Sequence, residues 1–346
     1  PFSFEVFLNI SDVGIVRLLA HYSGYERDFD DFLIGGESEV GWQLQEASSR
    51  HPSRFLSLLV AHWGAISDGF RDNAMAGIAN YLAHRYGNLQ ANGTWVPVEE
   101  PDAPALANQI LAELERHSDQ WQLNRTTAEA LKACAQVIQN TQDATRLVFL
   151  AMGFTKLREE SPIDRDSVDL LNKGINMTGG VIAEALMVLV NNLCEKDIAI
   201  PELLPPTLRR FANSEHPAIR ALILERLPYL QNKNPELGWE IFNLAMQDDE
   251  GLWRSAERCL YCAYHDHFEN VAPLLDRIQR EGITEDMETW GRISALTALT
   301  GHIGFAHLLG TLITLDICEA WKGAGSVWTN TGNIRQHREQ CLAGIE

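Results

Sequence analysis

The sequence predicts an all-α chain built as a stacked array of antiparallel helix pairs. Three observations predict it: helical spacing of apolar residues in almost every patterned segment, no convincing strand alternation, and a recurrent proline-to-arginine spacing. That spacing is nineteen residues and joins Pro52 to Arg71, Pro201 to Arg220, Pro235 to Arg254 and Pro273 to Arg292. Seven residues beyond each arginine stands Ile78, Leu227, Tyr261 or Leu299. Proline in a first helical turn forfeits no needed hydrogen bond, so each proline is read as opening a first helix and each arginine a second. A single helix pair cannot bury its apolar face alone, and neighbouring pairs therefore stack. Pro97 and Arg116 share the offset but span no helix-turn-helix pattern.

Taken in order, Ser11 is placed to cap a helix through residue 21. Helices over 52–63 and 71–86 form an antiparallel pair across the turn Gly64-Ala65-Ile66-Ser67-Asp68-Gly69. The polar, Pro- and Gly-containing stretch 87–104 reads as a linker or long loop, separating N-terminal repeats (1–86) from a middle helical segment (105–200). That segment is expected to hold helices over 105–116, 143–157, 166–173 and 181–194, the last after a Gly179-Gly180 turn. Thr126-x-x-Glu129 reads as a capping box opening a helix through residue 138. The C-terminal repeats (201–346) start at Pro201, Pro235 and Pro273, 34 and then 38 residues apart. Asn234-Pro235 illustrates such a start, with Asn as cap and Pro as first helical residue. The unit between Pro162 and Cys194 lacks the matching arginine.

Composition narrows the function classes. The chain is 346 residues, 45% hydrophobic and 22% charged, values of a folded protein. Its formal charge is −19, from 28 basic and 47 acidic residues, which disfavours phosphate backbones and anionic membranes as partners. The bases are 22 Arg against 6 Lys, and arginine suits fixed planar ion pairs. Six scattered cysteines (Cys134, Cys194, Cys259, Cys262, Cys318, Cys341) read as reduced, buried thiols of a cytoplasmic protein. No apolar run reaches the ~20 residues that span a bilayer; the longest, 181–190, is interrupted by Glu184. The chain starts at Pro1 without an initiator Met or secretory pattern, and both ends are expected to be cuts in a longer polypeptide.

Catalytic signatures are sparse. Cys259-Leu-Tyr-Cys262-Ala-Tyr-His265-Asp-His267 brings two thiols and two imidazoles together, as a zinc site requires. Within one helix, however, Cys259 and Cys262 share a face with Ala256 and Ala263, and the histidines fall at the helix end. Buried thiols and a His-rich C-terminus are the expectation. Paired carboxylates at Asp30-Asp31, Glu159-Glu160 and Asp248-Asp249-Glu250 read as solvated loop ends. No Walker-type phosphate loop, Gly-x-Ser-x-Gly or His-Glu-x-x-His occurs, and Lys322-Gly-Ala-Gly-Ser326 reads as a turn. The chain is therefore expected to be no enzyme and to need no cofactor or metal. Trp253, Trp290, Trp321 and Trp328, with Arg335 and Arg338, are the candidates for a protein interface. Core packing between helix pairs is the competing reading for the tryptophans, with Trp321 and Trp328 the best interface candidates because their surroundings are polar and Gly-rich.

An acidic residue precedes each repeat arginine: Asp68, Glu215, Asp249 or Glu250, and Glu288. Acid before the turn and arginine after it resemble the aspartate and arginine of HEAT repeats. The lines Asn213-Ser-Glu-His-Pro-Ala-Ile-Arg-Ala-Leu-Ile and Asp248-Asp-Glu-Gly-Leu-Trp-Arg-Ser-Ala-Glu carry this resemblance. It covers about half the chain and implies a superhelical array, HEAT-like in preference to the tetratricopeptide type, with one long concave surface for a protein partner. In texture, residues 202–343, with short Trp-rich helix pairs ending near Asn333-Ile-Arg-Gln-His-Arg-Glu-Gln-Cys341, look like the sensor regions of bacterial STAND NTPases, antiviral ones included. That resemblance implies recognition of a ligand such as a phage protein, which releases an NTPase elsewhere in the polypeptide to oligomerise. A constitutive scaffold or adaptor, and a helical metal-dependent hydrolase using His265 and His267, are the alternatives.

Overall fold

The structure, a computed structural model, describes residues 2–25, 35–87, 89, 93–157, 169–247 and 251–346. Asp30-Asp31, Glu159-Glu160, Pro162, Asp166 and Asp248-Asp249-Glu250 lie outside the described residues. Among the described residues there are 22 α-helices, three short 3-10 turns and no strand. None of those helices is by itself long and apolar enough to cross a bilayer. The chain divides into two compact units, Pro1–Glu160 with Asn176–Leu208, and Ser161–Ile175 with Arg209–Glu346.

The first unit begins with α1 (Glu5–Asn9), α2 (Asp12–Tyr22), α3 (Glu37–Arg50), α4 (Pro52–His62) and α5 (Asp68–Tyr86). It continues with α6 (Ala103–Arg116), α7 (Ser118–Trp121), α8 (Arg125–Ala135) and α9 (Thr141–Gly153). Next in sequence is α10 (Leu170–Asn176), which belongs to the second unit through residue 175. The unit is completed by α11 (Thr178–Glu195). Two rows result. Helices α3, α5, α8 and α11 each pack on the next, while α4 packs on α6 and α6 on α9. The rows meet along a continuous apolar core that includes Phe55, Leu59, Phe70, Ile78, Ile110, Leu131, Leu147 and Leu186, all fully buried.

The second unit follows the same plan. After α12 (Leu204–Ala212), which carries the boundary, come α13 (Pro217–Arg226), α14 (Pro228–Lys233), α15 (Pro235–Ala245) and α16 (Trp253–Ala263). The chain ends with α17 (Phe268–Glu281), α18 (Met287–Leu299), α19 (Phe305–Leu315), α20 (Cys318–Trp328), α21 (Thr331–Gln336) and α22 (Arg338–Ile345). Here α13, α16, α18, α20 and α22 pack successively, and α15, α17 and α19 cover them from one side.

Several side-chain bonds between helices recur at similar sequence separation, although others, such as Arg54 to Asp12 at 42 residues and Asn124 to Asp72 at 52, do not. In the first unit, Arg146 reaches Glu115, 31 residues away. In the second, Arg209 reaches Glu240 (31), Arg258 reaches Glu225 (33), Thr289 reaches Glu257 (32) and Lys322 reaches Glu288 (34). These bonds run between neighbouring helix pairs, so they hold the rows in register.

Several helix starts follow from local chemistry. Ser11 accepts from the Gly14 N–H at 3.2 Å, Asp102 from Ala105 at 2.9 Å and Asn140 from Asp143 at 2.8 Å. Pro52 and Pro235 each occupy the first position of a helix. Other expectations are corrected. Pro201 precedes α12 by a turn, and Pro205 and Pro206 sit in that helix's first turn instead. Pro273 lies inside α17, which opens five residues earlier. The cap of α8 is Asn124, whose side chain accepts from the Thr126 N–H at 2.8 Å, so no box forms at Thr126. Gly179 and Gly180 are buried in the first turn of α11, and residues 322–326 are helical within α20. Of the two glycines in 322–326, Gly323 faces the Glu288 carbonyl of the neighbouring helix, where a Cβ has no room.

The stretch 87–104 does not leave the first unit. It folds back on the α3–α4 junction, where the Val98 N–H donates to the Arg50 carbonyl at 2.7 Å and the Trp95 indole donates to Ser49 at 3.0 Å. The Ser53 N–H donates to the Glu99 carboxylate at 2.5 Å. The Glu99 carboxylate thereby caps the start of α4, which has no capping side chain of its own, while the other two bonds tie the stretch to the end of α3.

Candidate functional site

Helix α19, Phe-Ala-His-Leu-Leu-Gly-Thr-Leu-Ile-Thr-Leu, contains no Asp, Glu, Lys or Arg. A helix so apolar is expected to be enclosed on all sides, yet only Leu308 and Leu312 are buried, facing α18. Ile313 is 68% exposed, and Ala306, His307, Gly310 and Thr314 are exposed beside it. The helix ends at Asp316, which takes a left-handed conformation (φ 51°) and donates its N–H to the Leu312 carbonyl at 3.0 Å.

Between α17, α18 and α19 lies a cavity of about 110 Å³. Phe268, Leu275, Trp290, Ile303 and Leu308 supply its apolar wall, and Asp276, Gln279, Ser294, His307 and Thr311 its polar groups. It continues along α19 as an open groove of about 510 Å³ that shares Gln279, His307 and Thr311. Asp276 is the only carboxylate among the lining residues of both, and no Lys or Arg lines either. The cations of α17 make bonds of their own, Arg277 away from the cavity and Arg280 beside Asp276. Arg277 donates to the Met246 carbonyl and to Glu281, and Arg280 donates to the Asp276 backbone carbonyl. The cavity is thus walled largely by apolar groups, the groove beyond it mixes apolar and polar side chains, and Asp276 is an exposed negative charge at the cavity's edge.

The residues singled out in the sequence fall into three groups. Trp253, Trp290 and Trp328 are buried and belong to the core, with Trp290 also forming the floor of the cavity. Trp328 is closed in by Phe305 and Trp321, at ring-centroid distances of 5.8 and 6.4 Å, and by Gly344, where a Cβ would strike the indole. As exposed interface anchors Trp253 and Trp328 are corrected, having almost no surface to offer, whereas Trp290, though buried, meets the cavity. Trp321 is half-buried, and Arg335 and Arg338 are exposed on the last two helices.

The repeat arginines divide by environment. Arg71 pairs with Asp68 at 3.0 Å, donates to the Ile66 carbonyl and covers the Trp63 ring at 4.3 Å. Arg292 pairs with Glu288 at 2.7 Å and with Glu257, tying α18 to α16. Arg220 is buried and donates to the Ala245 carbonyl at 3.1 Å. Arg254 is exposed on α16. Of the apolar partners, Ile78, Leu227 and Leu299 are buried but Tyr261 is 54% exposed.

The Cys/His segment does not converge. Cys259 is buried with its Sγ 3.1 Å from the Leu224 carbonyl, and burial drives its thiol pKa far up. Cys262 is exposed. His265 bonds Asp266 at 2.6 Å, a hydrogen bond that lowers the carboxyl pKa of Asp266. No group of three or more His, Cys, Asp or Glu among the described residues is arranged to hold a metal ion.

Sequence reasoning missed the α17–α19 groove, although a signal was present. Eleven residues without a charge exceed what a two-sided surface helix needs. Compared with known proteins, the chain matches no family model, no curated protein and no solved structure.

Proposed function

We propose that this chain is a non-catalytic protein-recognition region, and that it grips a protein segment along the groove between α17 and α19. The observation that carries the reading is α19 itself: a charge-free apolar helix that leaves most of its surface uncovered beside a cavity. Apolar surface of that kind, rimmed by polar groups, is what macromolecular recognition sites present. The two-row packing supports the finer reading of a HEAT-like superhelical array, in which neighbouring helix pairs jointly expose a long surface. On the resemblance of residues 202–343 to STAND sensor regions, the reading extends to ligand sensing in the cytoplasm, with a phage protein as the partner class and oligomerisation driven by an NTPase elsewhere in the polypeptide.

The test is site-specific crosslinking. A photoreactive phenylalanine analogue replacing Thr311 should crosslink to partner protein, whereas the same analogue at Phe149, exposed in the first unit, should not. Equal yields from the two positions would remove the groove as the recognition site.

A further inference from the structure

We infer that the segment seated in the α17–α19 groove presents one aliphatic anchor residue with a basic residue beside it. This rests on the groove being the recognition site and adds the chemistry of what it recognises.

The anchor follows from volume and lining. The cavity measures about 110 Å³ and is walled by Phe268, Leu275, Trp290 and Leu308. A cavity of about 150 Å³ accepts a benzene-sized group, so this one suits a Leu, Ile or Val side chain better than an aromatic ring. Enclosed sites for whole small molecules run to about 300 Å³ and above. The half-open cavity is thus sized for one side chain, and the wider groove of about 510 Å³ beyond it for the chain that carries that residue.

The flanking charge follows from the lining as well. Asp276 is exposed at the rim, and no Lys or Arg lines the cavity or groove. Arg280 lies one turn on and bonds the Asp276 backbone carbonyl, so the local preference for a basic residue is modest, and the chain's formal charge of −19 disfavours an acidic partner at longer range. Gln279, His307 and Thr311 stand where cavity and groove join. Their polar groups can bond the peptide backbone on either side of the anchor, since an amide and a hydroxyl each donate and accept.

The probe is a displayed random-peptide library selected on the full chain, with selected peptides then titrated by fluorescence anisotropy. Aliphatic residues adjacent to Lys or Arg should dominate the selection. Thr311→Arg should abolish binding, and Ala306→Arg, at an exposed position on the same wall, should repeat the loss. Asp276→Lys should weaken binding about tenfold, and changing the peptide's basic residue to Glu should restore affinity for that variant. Peptides that need an open groove but carry acidic or uncharged flanks, or that ignore Asp276→Lys, overturn this inference and leave groove recognition standing. Peptides indifferent to both arginine blocks, or a library that yields no binder, overturn the groove reading and this inference with it.

Discussion

A Cβ placed on Gly291 would run into the Ala320 carbonyl, and one on Gly323 into the Glu288 carbonyl. These two glycines let α18 and α20 approach backbone to backbone, and Gly77 does the same for α5 against the Gln45 carbonyl of α3. Gly323→Ala should therefore cost about 1–3 kcal/mol, because a carbonyl in a packed helix cannot swing aside as a side-chain tip can. Gly325, two residues on, has open space around it, and Gly325→Ala should raise stability by about 0.5–1 kcal/mol through helix propensity alone. Urea denaturation of the pair checks both signs. None of this was legible in Lys322-Gly-Ala-Gly-Ser326, where local preference favours a turn and only the neighbouring helix explains why glycine is helical. Glu113 offers a second test. Its side chain is buried against Arg116, at 2.8 Å, and His117, at 3.6 Å, and desolvation raises its carboxyl pKa above the usual carboxylate range. The folded state then holds the proton more tightly than the unfolded chain, so stability falls as pH rises from the ordinary carboxylate pKa to the raised one. Glu113→Gln should remove that slope, measured by thermal melts between about pH 4 and about pH 7.

Some helix starts were readable where the cap is local, although the Asn124 cap of α8 was misplaced to Thr126. Ser11 and Pro52 mark helix starts because the bonds they make or spare lie within one turn. Pro273 misled for the complementary reason: a proline at the sixth position of α17 lacks only the donor for the Glu269 carbonyl, and burial of Val271, Leu275 and Ile278 outweighs that loss. The junctions between elements are held by bonds that adjacent residues do not reveal. Arg292 links Glu257 of α16 with Glu288 of its own helix and bonds Ser326 of α20 at 3.2 Å, while Lys322 reaches the same Glu288 at 2.6 Å. A double-mutant cycle of Arg292→Ala and Glu257→Ala should show a coupling of about 1 kcal/mol or more, because the pair is partly screened from water. The Arg258–Glu225 pair, with its arginine 59% exposed, should couple by less than about 0.5 kcal/mol under the same protocol. Equal couplings would mean that helix register does not depend on the Arg292 cluster.

For the whole molecule, the dominant quantity is the formal charge of −19. Self-repulsion at that charge destabilises the compact state, so the melting temperature should rise as added salt screens it, from about 0.01 M toward about 0.5 M. The same salt should slow association with a basic groove-binding peptide, since screening removes the attraction that speeds encounter. Stopped-flow rates that stay flat across that range would show that the acidic surface does not steer its partner. The two units repeat one packing plan, and the expected break at 87–104 is absent because Arg50, Ser53 and Trp95 fasten that stretch to the first unit. A polar, Pro-containing composition signals irregular backbone, whereas a domain boundary depends on what that backbone touches.

By itself the sequence determined the helical class and several helix starts, because these rest on apolar periodicity and on bonds within a turn. The tertiary structure decided which tryptophans are core, which glycines are crossing points, where the units divide and that α19 lies uncovered. Those outcomes depend on contacts between different helices, as of Gly323 with the Glu288 carbonyl, which no pattern within one element reveals.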